Sequence, residues 1–139
     1  MTKTLTLPLL LGLASFGLTA CGDKEEEGLK KACPTPAPAM KSPPTLPGKF
    51  PGAPGVVYTG IAKSGPATVV SGYLPTAIGP AHDAYAGAIK GASGYRVTKE
   101  EQDKADAEVN FAGAGNSGQV KLLQTCKART RVTITIRPA

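Results

Sequence analysis

Tryptophan is absent from the 139 residues, aromatic side chains supply only 5% of them, and histidine occurs once. A single imidazole excludes metal cages built from several histidines, and the shortage of aromatic rings predicts a light core. No segment carries a nucleotide-binding fingerprint, so no cofactor is expected, and there is no internal repeat. The longest apolar stretch, Leu5 to Leu18, is about fourteen residues. That is below the roughly 20 a spanning helix needs, and Pro8 and Gly12 interrupt it. Glycine (17) and proline (13) are what the chain has in quantity. Such a composition predicts one small domain beside a sizeable unstructured portion.

The N-terminus reads as an export signal. Lys3 provides the positive start, and leucines at 5, 7, 9, 10, 11, 13 and 18 provide the apolar segment. The boundary Leu18-Thr19-Ala20-Cys21, followed by Gly22 and Asp23, resembles the lipobox of bacterial lipoproteins. That resemblance implies removal of residues 1–20 and acylation of Cys21, with palmitate-like chains on its thiol and amine. The protein would then be held by lipid on the exported side of a cell membrane. More than one chain is needed, because a single acyl chain binds a bilayer only marginally. The alternative is an ordinary secretory signal in which Cys21 stands by chance.

Residues 21–55 are expected to form a disordered tether. Residues 23–31 are charged, and eight prolines follow between 34 and 54. Proline lacks a backbone donor and cannot continue a helix or a central strand, so this stretch predicts an extended polyproline spacer. At roughly 3.1 Å per residue, residues 34–55 would reach about 70 Å when fully extended. A proline-rich ligand for a recognition module is the competing reading, and no aromatic-flanked motif supports it.

The folded domain is expected over 56–139. Val56 to Ile61 and Ala67 to Leu74 read as two strands joined through Lys63-Ser64-Gly65-Pro66. A helix is predicted from Pro80, with Ala81, Ala84, Tyr85, Ala88, Ile89 and Ala92 as its apolar stripe, Asp83 in its first turn, and Gly91 or Gly94 at its end. Tyr95 to Thr98 is short and ambiguous, and Lys99 to Lys104 reads as a charged connection. Ala105, Ala107, Val109 and Phe111 alternate with polar residues, as do Val120 and Leu122, and Val132, Ile134 and Ile136. The expectation is an α+β domain of order β-β-α-β-β-β: an antiparallel sheet of about five strands with one helix packed on one face. This arrangement resembles small α+β domains of secreted bacterial lipoproteins, a weakly specific likeness that implies no activity.

Candidates for chemistry are few. With Cys21 acylated, Cys33 and Cys126 are the remaining thiols, and in an exported protein they most simply form one disulfide. Its loop of about 94 residues corresponds to at most about 4.5 kcal/mol in the chain-entropy model. Free or intermolecular thiols are the alternatives. His82 and Asp83 are adjacent on a helix and so do not face each other as a dyad. A Cys126/His82 nucleophile pair has no recognisable context, and His82 reads instead as a surface residue near a helix start. Gly113 to Gly118 lacks the Lys-Ser/Thr ending of a phosphate loop and reads as a hairpin turn. Glu100, Glu101, Asp103, Asp106 and Glu108 lack calcium-loop spacing and read as a solvated edge, so no metal is expected.

Charge is the remaining pointer. The net charge of +6 falls to +5 when Lys3 leaves with the signal. Lys121, Lys127, Arg129, Arg131 and Arg137 are the charged residues between Val109 and Ala139, with no acid among them. They could contact an anionic envelope component or an envelope protein, or simply keep a strand edge soluble. Nucleic acid is not an expected partner. The function read from the sequence is therefore a lipid-anchored, non-catalytic binding or scaffolding protein of the cell envelope. The alternative is a carrier holding a small apolar ligand in a helix–sheet groove lined by Tyr73, Tyr85, Ile89 and Phe111.

Overall fold

The computed structural model describes residues 23–139; the Leu5–Leu18 segment, the lipobox and Cys21 lie outside the described residues. Helix α1 (Asp23–Lys30) comes first, and a short 3-10 turn follows at Pro47–Lys49. Then come β1 (Val57–Ser64), β2 (Ala67–Leu74), α2 (Ile78–Gly91), β3 (Tyr95–Gln102), β4 (Asp106–Gly113), β5 (Asn116–Cys126) and β6 (Arg129–Pro138). The strands form one antiparallel sheet in the order β1-β2-β6-β5-β4-β3. The α+β class and the antiparallel sheet stand, with six strands and two helices among the described residues instead of about five and one.

Alternation within the strands decides which face is dry. In β6, Thr130, Val132, Ile134 and Ile136 are buried, and the residues between them are more exposed. The same period places Val70 and Leu74, Val120 and Leu122, and Ala107, Val109 and Phe111 on that inner face. Helix α2 packs across it and contributes Ile78, Ala81, Tyr85, Ala86 and Ile89. The four-residue rhythm also carries His82 inward, so it is buried and not the surface residue expected. The helix begins at Ile78, two residues ahead of Pro80, which puts Asp83 beyond the first turn.

The sixth strand is the main departure. β3 runs through the supposed charged connection as far as Gln102, with an irregularity in register between Val97 and Lys99. Its one-sided pairing with β4 leaves it at the sheet edge, where Lys and Glu are tolerated because solvent covers them. Two ion pairs steady it: Lys99 Nζ with Glu101 Oε1 at 2.7 Å, and Glu100 with Lys90 of α2. The glycine-rich stretch is a tight hairpin loop, since Gly113 pairs with Asn116 and only Ala114 and Gly115 lie between. Both carry positive φ, at 48° and 73°, the backbone a two-residue hairpin demands.

Residues 34–55 do not behave as a spacer. Leu46, Phe50 and Ala53 belong to the same buried core as the sheet and α2, so the folded unit begins well before Val56. Phe50 lies 4.3 Å from Phe111 and 5.6 Å from Tyr95, ring centre to ring centre. The Tyr95 hydroxyl donates to the Gly48 carbonyl at 2.9 Å. Earlier in the strap, the Met40 N–H donates to the Tyr58 carbonyl at the β1 edge at 2.8 Å. Proline-rich backbone offers few donors of its own, so the strap is held by side chains inserted into the core and by occasional bonds to the sheet. It passes from the outer face, where Pro34 to Ala37 sit beside Tyr73 and Arg129, to the inner face at Phe50.

Candidate functional site

The outer face of the sheet is the one that α2 does not cover, and Pro34 to Ala37 lie beside its Ser71, Tyr73, Arg131 and Thr133. Its side chains follow from register. One row runs Asn110, Gln119, Thr135 and Val69, and the next runs Glu108, Lys121, Thr133 and Ser71. A third holds Asp106, Leu123, Arg131 and Tyr73. Arg137 stands opposite Ser117 at the far end of β6. Threonine, glutamine and asparagine suit a pleated surface that stays wet, which explains why one face of each central strand is polar.

Of the five basic residues singled out by sequence, three remain available on this face. Lys121, Arg131 and Arg137 are exposed, and among the described residues no ion pair or side-chain hydrogen bond occupies them. Arg131 and Arg137 share a strand side six residues apart, a span of about 20 Å. Arg129 is engaged elsewhere: its guanidinium donates to the Pro34 carbonyl and lies 5.4 Å from the centre of the Tyr73 ring. Lys127 is exposed in the β5–β6 turn, and its N–H donates to the Lys31 carbonyl at 3.0 Å. The face is therefore polarised. The basic half lies over β5 and β6, and Asp106, Glu108 and Glu101 lie toward β4 and β3. The Asn110 amide donates to Glu108 at 3.2 Å.

The other sequence candidates do not assemble into a site. Cys126 is bonded to Cys33, with a Cα separation of 5.1 Å, and so offers no thiol to His82. The His82 Nδ1 lies 3.4 Å from Asp83, and its Nε2 lies 3.9 Å from Glu100, which Lys90 already pairs. Nε2 is buried without a hydrogen-bond partner, and the Tyr85 hydroxyl is buried beside the Ala53 backbone without a well-formed hydrogen bond. Burial pushes the Tyr85 hydroxyl far above its ordinary pKa, and the neighbouring Tyr58 adds to the effect. Among the described residues, no group of three or more His, Cys, Asp or Glu side chains is placed to hold a metal ion.

The proposed ligand groove does not form from its four residues. Tyr85, Ile89 and Phe111 are packed into the core, and Tyr73 projects from the opposite face. Sequence reasoning missed the contribution of the strap to this core. The signal available was the trio Leu46, Phe50 and Ala53 inside the proline-rich stretch. Fold and surface together define an α+β protein whose sheet is covered by α2 on one side and is polar and partly basic on the other. Comparison with family models, curated proteins and solved structures returns no match.

Proposed function

We propose that this protein is a lipid-anchored component of the cell envelope that binds an anionic envelope partner, without catalysis, through the open face of its sheet. The anchor rests on the resemblance of Leu18-Thr19-Ala20-Cys21 to a lipobox. One observation supports the binding reading: Lys121, Arg131 and Arg137 are exposed on the sheet face that α2 leaves uncovered, and among the described residues none is held in an ion pair, although Glu108 stands opposite Lys121. Fixed charges on a rigid sheet attract phosphate or carboxylate groups at low ordering cost, and the attraction weakens as salt screens it. The carrier reading has no comparable support, since the interface between α2 and the sheet is filled by side chains.

The test uses the unlipidated chain, Cys21→Ser, exported with its disulfide intact. Pelleting with the purified cell envelope is measured across a salt series. The reading expects pelleting that falls steeply with salt and is largely lost when Lys121, Arg131 and Arg137 are all changed to Ala. Binding that ignores both salt and the triple substitution, or no binding at low salt, overturns it.

A further inference from the structure

The chain enters the domain at one end, and four contacts hold it there. Cys33 is bonded to Cys126 at the end of β5. The Lys31 carbonyl accepts from Lys127, and the Pro34 carbonyl accepts from Arg129. Helix α1 lies against β5. The disulfide and the two hydrogen bonds gather at the β5–β6 turn. The opposite end of the sheet carries the β1–β2 and β4–β5 turns and the C-terminal residues of β6.

We infer that this clamp sets the protein upright on its membrane, with the β5–β6 turn against the bilayer and the open sheet face turned sideways. The inference rests on acylation of Cys21 and takes the anchoring bilayer itself as the occupant of that end. Chain length carries the argument. Only 11 residues lie between Cys21 and Cys33, and eight of them, Asp23 to Lys30, are helical. Helix rises about 1.5 Å per residue and extended chain about 3.5 Å, so even with α1 released from β5 the leash spans about 30 Å at most, and with α1 docked it is shorter. A free polyproline tether running to Val56 would reach about 110 Å. The proline-rich segment is folded back along the domain, so it adds nothing to the reach. The strands then rise from the membrane, and the row from Arg131 to Arg137 stands across the bilayer plane. A partner bound on this face lies within about 60 Å of the lipid, given a strand of ten residues above the leash. That range suits an anionic component at the anchoring membrane's own surface.

The experiment uses the full lipidated chain in phosphatidylcholine vesicles that carry an acceptor dye at the headgroups. A fluorescent residue is incorporated either at Lys127 or at Ser64 in the distal turn. Energy transfer is expected to place Lys127 about 25 Å nearer the bilayer than Ser64, the rise of a strand of roughly eight residues. A flexible Gly-Ser linker of about twenty residues inserted between Gly22 and Asp23, with the disulfide untouched, is expected to abolish that difference. Equal transfer from both positions in the original chain overturns the inference, as does a difference that survives the linker. Failure of the chain to associate with vesicles overturns the anchor reading and this inference with it. Association with equal transfer overturns this inference alone.

Discussion

Phe111 and Gly118 face each other across β4 and β5, and their pairing shows how one residue's absence of a side chain makes room for another's ring. A Cβ built on Gly118 would collide with the Thr135 carbonyl and with the edge of the Phe111 ring. Gly118→Val is therefore expected to cost about 2 kcal/mol or more, through overpacking against the Thr135 backbone and the Phe111 ring at the end of the core. Urea denaturation reads the loss directly. Tyr85 makes the opposite case, because its hydroxyl is buried with only a poorly formed contact to the Ala53 backbone. Tyr85→Phe removes a poorly satisfied group and is expected to leave stability unchanged or raise it by about 1 kcal/mol.

The same tyrosine shapes the alkaline limit. Burial raises its pKa in the folded state above the ordinary value of 10.0. The native state therefore keeps a proton that the unfolded chain releases. Stability from this group is complete below about pH 10 and declines as pH climbs above it. Denaturation midpoints between about pH 9 and 11 are expected to fall for the native sequence and to fall less for Tyr85→Phe. A parallel decline in both would show that other groups set the alkaline limit.

At the scale of elements, the strap formed by residues 34–55 carries the most informative test. A disordered spacer would not respond to removal of one phenyl ring, whereas a core element would. Phe50 packs on Phe111 and Tyr95 and is almost fully buried. Phe50→Ala is expected to destabilise the protein by about 3–5 kcal/mol. An unchanged urea midpoint would return the strap to the status of spacer. The strands with strict alternation, β4, β5 and β6, are legible in the sequence, because a period of two has only one physical reading in a half-buried sheet. β3 is not. Its residues after Val97 are charged on both sides, and only pairing with β4 along the edge makes them a strand. Helix α2 is legible in kind, but its apolar stripe does not disclose that His82 turns inward. Which arc of a helix faces a sheet depends on the partner surface as well as on the helix.

Across the whole molecule, the disulfide joins residues 93 apart and ties the entry of the chain to the last hairpin. Closing so long a loop restricts the unfolded ensemble, which corresponds to a ceiling of about 4.5 kcal/mol. Reduction is expected to lower the urea midpoint accordingly, and Cys33→Ala with Cys126→Ala is expected to reproduce the loss. A reduced protein as stable as the oxidised one would mean that α1 and the strap hold the entry without the bond. The basic surface is legible only in part. Parity along β6 places Arg131 and Arg137 on one face, but nothing local to Arg129 shows that Pro34 and Tyr73 claim it.

The sequence by itself determined the α+β class, the antiparallel strands with one wet face, and the chemistry at hand: one histidine, two cysteines beyond Cys21, and a run of basic residues without acids. These follow from local periodicity and composition, which are properties of neighbouring residues. Tertiary structure alone decided that the proline-rich segment is part of the core and that β3 completes the sheet. It alone also decided that Arg129 is claimed by Pro34 and Tyr73, and that Lys121, Arg131 and Arg137 stand on the outer sheet face. Each of those outcomes depends on contacts between residues far apart in the chain, and their favourable energy appears only when the ordering of both partners is offset by burial or pairing.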